Sequence, residues 1–221
     1  MPDKLILPAE AKPVELTLTK RRAVQTSQVC KTFTNQNLAA TFAPRSTFIR
    51  CRFVDCRLDL AVFAGAVFSE CEFDTCLMAG VNFREASVKG CTFTGCYLVG
   101  AAFDGARLQG TGFASCVLES ATFLGAMLGA PVSFVSTSLR NADLRFYESD
   151  EGQPNIADCD LNGASFSVNC EFWNGTFDER ATKDFGLMWG RASRDAEIIE
   201  WVKKLWGAEA YDQLDRYMRR R

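Results

Sequence analysis

Ten cysteines and no histidine frame the chemistry open to this 221-residue chain. Without imidazole it lacks the commonest general base and the commonest metal ligand. A zinc site wants close cysteine pairs two to four residues apart. The spacings from Cys51 to Cys116 are instead built from steps of five and twenty. Cys51, Cys71 and Cys91, one twenty-residue step apart, would stack with their β-carbons slightly too far apart for an unstrained disulfide. Such thiols fill a core as small hydrophobes. The carboxylates are scattered along the sequence, whereas catalysis needs converging groups in a pocket. We therefore expect no catalytic residue, no metal and no cofactor.

The cysteine count also invites a secreted disulfide scaffold. Met1 to Glu10 has no basic start followed by an apolar core, so it does not read as a secretory leader. No apolar run approaches the roughly 20 residues needed to span a bilayer. The expectation is a cytoplasmic chain with free thiols and no membrane partner. A net charge of −2 compels no nucleic-acid binding.

The elements that must carry these residues follow from internal repetition. From Phe48 to Leu128 an apolar residue recurs at every fifth position. The residue two before each centre is small, and from Cys51 it runs Cys51, Cys56, Ala61, Ala66, Cys71, Cys76, Val81, Ala86 and onward. A period of five fits neither helix nor strand. The Cys-Cys-Ala-Ala order adds a period of twenty, which implies four short sides per closed coil. Residues two apart point the same way on an extended side, so the centre and the small residue both face inward. Glycines such as Gly80 and Gly100 fall at the fifth position, where the chain must turn. About seven coils would give a rod on the order of 35 Å long.

The segments Cys-Arg-Phe-Val-Asp (51–55), Cys-Glu-Phe-Asp-Thr (71–75), Cys-Thr-Phe-Thr-Gly (91–95) and Ala-Ala-Phe-Asp-Gly (101–105) resemble the pentapeptide-repeat family. That resemblance covers roughly Cys30 to Asp178. It implies an all-β solenoid, a right-handed four-sided β-helix, and says little about role, because the family serves many.

The ends and interruptions read differently. Residues 1–27 hold a short alternating strand at Val14, Leu16 and Leu18 in an arm that caps or leads into the rod. The β-helix spans 28–180, irregular at 129–133 and at 146–157. The second irregularity is an acidic loop with Tyr147, Glu148, Asp150 and Glu151, either a tolerated insertion or a recognition loop. Residues 181–221 read as helical, with Ile198, Trp201, Val202, Leu205 and Trp206 on one face and Tyr211, Leu214 and Met218 following Gly207. They are expected to cap the open solenoid or to form a homodimer, as C-terminal helices do in several members of the resembling family.

Two features bear on partners. The resemblance implies one candidate role, a mimic of duplex DNA that binds DNA gyrase or topoisomerase and guards it from quinolones; residues 28–180 carry 17 acidic and 11 basic residues, net −6, which leans that way. That role requires acidic columns along the rod. Stacking by twenty gives none: Glu72 lies between Arg52 and Thr92, and Glu70 precedes Gly90 and Gly110. On one side, by contrast, outward positions hold Leu60, Leu77, Tyr97, Val99 and Val117, an apolar stripe that calls for a covering. The arm, the C-terminal helices, a second copy or another protein could supply it. The expected function is a non-enzymatic, protein-binding scaffold or adaptor; the family resemblance implies a bacterial protein, with a type VI secretion accessory as one setting. The alternatives are the gyrase-binding mimic and an immunity protein.

Overall fold

The computed structural model of the chain describes residues 25–129, 131–146, 154–166 and 171–173. Within them the five-residue beat becomes a coil with four sides, here A to D. Side A carries β1 (Ser27–Val29), β3 (Thr47–Ile49), β5 (Val67–Ser69), β7 (Ser87–Lys89), β9 (Arg107–Gln109) and β11 (Met127–Gly129), paired in that order. Side B carries β2 (Thr32–Thr34), β4 (Arg52–Val54), β6 (Glu72–Asp74), β8 (Thr92–Thr94), β10 (Gly112–Ala114), β12 (Val132–Val135), β14 (Pro154–Ala157) and β16 (Glu171–Trp173). Side C is a column of single bridges from Asn37 through Arg57, Leu77, Tyr97, Val117 and Ser138 to Asp160. Side D runs likewise from Phe42 through Val62, Asn82, Ala102 and Thr122 to Asp143, and ends in β13 (Asp143–Leu144) against β15 (Ser165–Phe166). All pairings are parallel, as they must be when each coil lies on the one before it.

Alternation within each side sends the centre residue and the one two before it inward. Their side chains make one continuous core. On side B, Phe33, Phe53, Phe73, Phe93, Phe113 and Phe134 stack with ring centroids 4.6 to 4.9 Å apart. On side D, Phe103 lies 5.1 Å from Phe83 and 4.8 Å from Phe123. The two columns meet edge to face, as at Phe93 and Phe103, inclined by 89°. The spacing is that of paired strands, so backbone pairing and ring stacking share one repeat.

The register slip expected at 129–133 is real and local. β12 has four residues, and Phe134 pairs with Phe113, a step of twenty-one. The extra residue is absorbed at the corner between sides A and B. The irregular segment expected over 146–157 is shorter than that. Phe146 is buried against Phe123 and Phe134, and Pro154–Ala157 is a strand paired with β12. Above the slip the coil-to-coil step is twenty-one, so Phe146 follows Gly125 at the fifth, corner position of side D. Its ring turns into the core there. Tyr147, Glu148, Asp150 and Glu151 lie outside the described residues. So do the strand expected at Val14–Leu18 and the helices expected to carry Ile198, Trp201, Val202, Leu205, Trp206, Tyr211, Leu214 and Met218.

Phe103 has ring neighbours above and below on side D and two more, Phe93 and Phe113, edge to face on side B. Phe103→Ala is expected to cost about 3–5 kcal/mol, the range for a large aromatic truncated in a packed core. Phe103→Leu should cost less than half as much, because Leu108 and Leu128 already serve as centres on side A. Guanidinium unfolding of the two variants checks the ratio, and equal losses would contradict the packing described.

Candidate functional site

The thiols come first, as the side chains with most chemistry. Of the described cysteines only Cys30 is exposed; Cys51, Cys56, Cys71, Cys76, Cys91, Cys96, Cys116 and Cys159 are buried. Among the described residues no group of three or more metal-ligating side chains converges. The order Cys-Cys-Ala-Ala has a cause in the corners. After sides C and D, the N–H of the next small residue donates to the centre carbonyl and closes a four-residue turn, as in Ala61 to Leu58 (3.1 Å) and Ala66 to Phe63 (2.9 Å). After sides A and B, a side chain donates to the centre carbonyl one coil earlier. Cys71 Sγ donates to Phe48 O (3.4 Å), Cys76 Sγ to Phe53 O (3.3 Å) and Cys96 Sγ to Phe73 O (3.4 Å).

Where cysteine is replaced, the bond survives. Thr111 Oγ1 donates to Val88 O (2.9 Å) and Thr137 Oγ1 to Phe113 O (3.4 Å). The same atoms also accept: Cys71 N–H donates to Cys91 Sγ, and Cys116 N–H to Thr137 Oγ1, each at 3.3 Å. These thiols are therefore hydrogen-bonding corner pieces as well as core filler. Burial holds Cys51 above the usual thiol range and pushes Cys159 up to about 11.

The carboxylates are committed in a similar way. Bridged sides leave backbone N–H groups that outward Asp and Asn side chains take up. Asp59 Oδ1 accepts from Ala79 N–H, Asp104 Oδ1 from Leu124 N–H and Asp160 Oδ1 from Asn162 N–H. Arginines one coil away pair with others: Arg52 with Glu72 at 2.6 Å, Arg84 with Asp104 at 2.9 Å, Arg50 with Glu70 at 3.8 Å. Against the cost of burial, bonds from Arg145 hold the Asp143 carboxyl below its ordinary range.

Among the described residues, the outer apolar surface is the feature that no other segment covers. Leu77, Tyr97 and Val117 are direct bridge partners along side C, so they stack at about one strand spacing. Tyr97 is 44% exposed, and Leu77, Val99 and Val117 are half-buried. Val99 stands in the parallel outward column, two residues beyond Tyr97. Leu60 sits at the corner between sides C and D, 65% exposed. Its Cδ2 lies 2.8 Å from where a Cβ of Gly80 would be, so Leu60 leans across the glycine corner of the next coil. Phe42 and Val62, bridge partners on side D, continue the surface around that corner; Phe42 is 43% exposed. Sequence stepping missed them because the inward residue beside Phe42 is Ala43, which hides the outward Phe; the signal was there in the column of positions 42 and 62. Arg57, Asp59 and Glu119 lie along the edges of the patch on side C.

Positive φ at the fifth position is general and not confined to glycine: Leu60 has φ 58°, Glu70 55° and Thr75 51°. The fold imposes this left-handed corner on residues that disfavour it by about 1–2 kcal/mol each. Gly80→Ala and Gly100→Ala should therefore destabilise alike, by about 1–2 kcal/mol, since both share the backbone strain and Leu60 Cδ2 beside Gly80 is the free end of an exposed side chain that can turn aside. Melting temperatures lowered equally check this, and an unchanged melting temperature in either variant would contradict the corner strain.

The thiols give a second test. In the folded protein, alkylation followed by mass spectrometry should modify Cys30 and spare the eight buried cysteines until denaturant is added. Stability should also fall with rising pH. A folded thiol held near 11 keeps its proton where an unfolded thiol, ordinarily near 9, has lost it. That stabilisation is complete below about pH 9 and lost as pH rises toward 11. Urea midpoints at pH 7, 9 and 10.5 check the sign.

Residues 66–166 match the family model described as pentapeptide repeat region. No curated protein matches this chain in sequence. Among solved structures, the chain is similar to HetL, a pentapeptide repeat protein involved in heterocyst differentiation regulation in the cyanobacterium Nostoc sp. strain PCC 7120. The identity is 15% over 68% of this chain and 84% of that one, with a TM-score of 0.42. It is also similar to full-length QnrB1, a plasmid-mediated fluoroquinolone resistance protein, at 17% identity over 74% of this chain and 97% of that one, with a TM-score of 0.29. The family model and the four-sided coil with its five-residue register, not these distant superpositions, identify residues 66–166 as a pentapeptide-repeat region.

Proposed function

We propose that this protein is a non-enzymatic scaffold that binds a protein partner through the apolar patch wrapped around the corner of sides C and D. The observation that carries the reading is the column Leu77–Tyr97–Val117, flanked by Val99, Leu60, Phe42 and Val62. A contiguous apolar surface with a polar edge is what a protein interface presents. The interior supports the non-enzymatic part. It is filled by stacked rings, and its thiols are committed to backbone carbonyls. An adaptor that holds another protein for a secretion machine is one setting we propose for such a face. Homodimerisation through Ile198 to Met218 is a separate proposal, addressed by comparing the mass of the full chain and of a chain ending at residue 180 by light scattering.

The gyrase-binding mimic is the weaker reading. Its acids would have to present a phosphate-like array, and those at Asp59, Asp104, Glu70 and Glu72 are tied to backbone N–H groups or paired with arginine. Added at micromolar concentration to a gyrase supercoiling assay with a quinolone, the protein should leave the drug effect unchanged. Protection of supercoiling would overturn the scaffold reading in favour of the mimic.

For the scaffold itself, Leu77→Asp combined with Tyr97→Asp should abolish capture of the partner retained by the wild-type chain. Both positions are outward, so the rod should stay folded, its melting temperature lowered only by the repulsion of two carboxylates one strand spacing apart. A partner retained by the double variant would rule out this face.

A further inference from the structure

A solenoid has two open ends, and the first described coil shows one of them. Its mouth is an apolar cavity of about 60 Å³, with Phe33, Leu38, Phe48 and Phe63 in its walls. Thr26 and Gln28 line the same mouth, so the chain enters the coil at its rim. The core is unfinished there. Phe33 is only partly buried, and Leu38 and Phe48 keep 6% and 5% of their surface exposed, where the corresponding Leu98 and Phe68 keep none. Exposed aromatic surface next to strand edges that pair with nothing among the described residues is a template for association.

We propose that the mouth is closed by the chain's own N-terminal arm, with Leu16 and Leu18 as its anchors. Three observations select this occupant. Residues 1–24 precede the rim directly, and their number exceeds the twenty residues of one coil, so the arm reaches across the opening without strain on the link. Leu18 falls twenty residues before Leu38 and forty before Leu58, in phase with the centres of side C; Leu16 falls twenty before Gln36, in phase with the inward small position. Between and beside them Glu15, Thr17 and Thr19 alternate as polar residues, which gives the arm one apolar edge for the mouth and one polar edge for water. The phase is what a foreign peptide would lack. The three basic residues that follow, Lys20, Arg21 and Arg22, interrupt the apolar pattern before side A begins, so the arm adds a single side over the mouth and not a further full coil.

The arm is thus a cap that keeps the rod from growing end to end. The test uses the full chain and a photo-crosslinking residue, p-benzoylphenylalanine, in place of Leu18. Irradiation should give an intrachain crosslink to the segment Phe33–Thr41, mapped by mass spectrometry, at every protein concentration. Crosslinks between chains would overturn the proposal in favour of a second copy seated on the mouth. A crosslink outside the first two coils, or none, would overturn it as well. A second measurement needs no altered mouth. In hydrogen–deuterium exchange, Leu16→Asp with Leu18→Asp should raise exchange across Thr26–Leu38 at least tenfold while leaving Phe93–Leu128 unchanged. Unchanged exchange in the first coil would also sink the idea.

Discussion

Everything in this molecule depends on one requirement: each coil must set its large inward side chains directly above those of the coil before. Rings such as Phe73, Phe93 and Phe113 meet at the distance that strand pairing also demands, so neither can shift alone. The constraint fixes the parallel register, leaves room only for a small residue two places before each centre, and forces a tight corner at every fifth residue. It also makes stability quasi-one-dimensional, since each coil touches only its neighbours. The outward positions escape it, and they are where polar, charged and apolar residues vary.

The corners show how backbone chemistry, once the core is set, chooses side chains. A turn that uses its own N–H to satisfy the centre carbonyl asks only for a small residue, and alanine suffices. A corner that flanks an extended strand draws a donor from the side chain, so it takes cysteine or threonine. Thiols are weak donors, and each such bond contributes little on its own, on the order of 1 kcal/mol or less. Repeated on two corners of nearly every coil, they tie each coil to the last. Two families of residue that looked like a packing preference are two solutions to one hydrogen-bond problem.

The rod was legible in the sequence because its cause is periodic: a centre every five residues and a small residue two before it leave few alternatives. What was not legible depended on single departures from the period. Phe146 stands at a corner position and read as the start of a loop, yet its ring packs into the core against Phe123 and Phe134. Pro154 fell inside the expected irregular segment but leads a strand. The cysteines read as hydrophobes, because a thiol's donor role appears only when the carbonyl of the preceding coil is located. In the candidate face, Leu77, Tyr97 and Val117 followed from stepping by twenty. The continuation to Phe42 and Val62 did not, because it turns a corner, and a corner is invisible to a comparison made within one side.

The single extra residue near position 131 shows what kind of ruler the fold uses. Below it, partners are twenty residues apart; above it, Phe134 still lies squarely on Phe113. Insertions at a corner change the count along the chain and leave the height of the rod untouched. Distance along this molecule is therefore measured in coils, and a binding face laid out by height can persist while the sequence that builds it gains or loses residues.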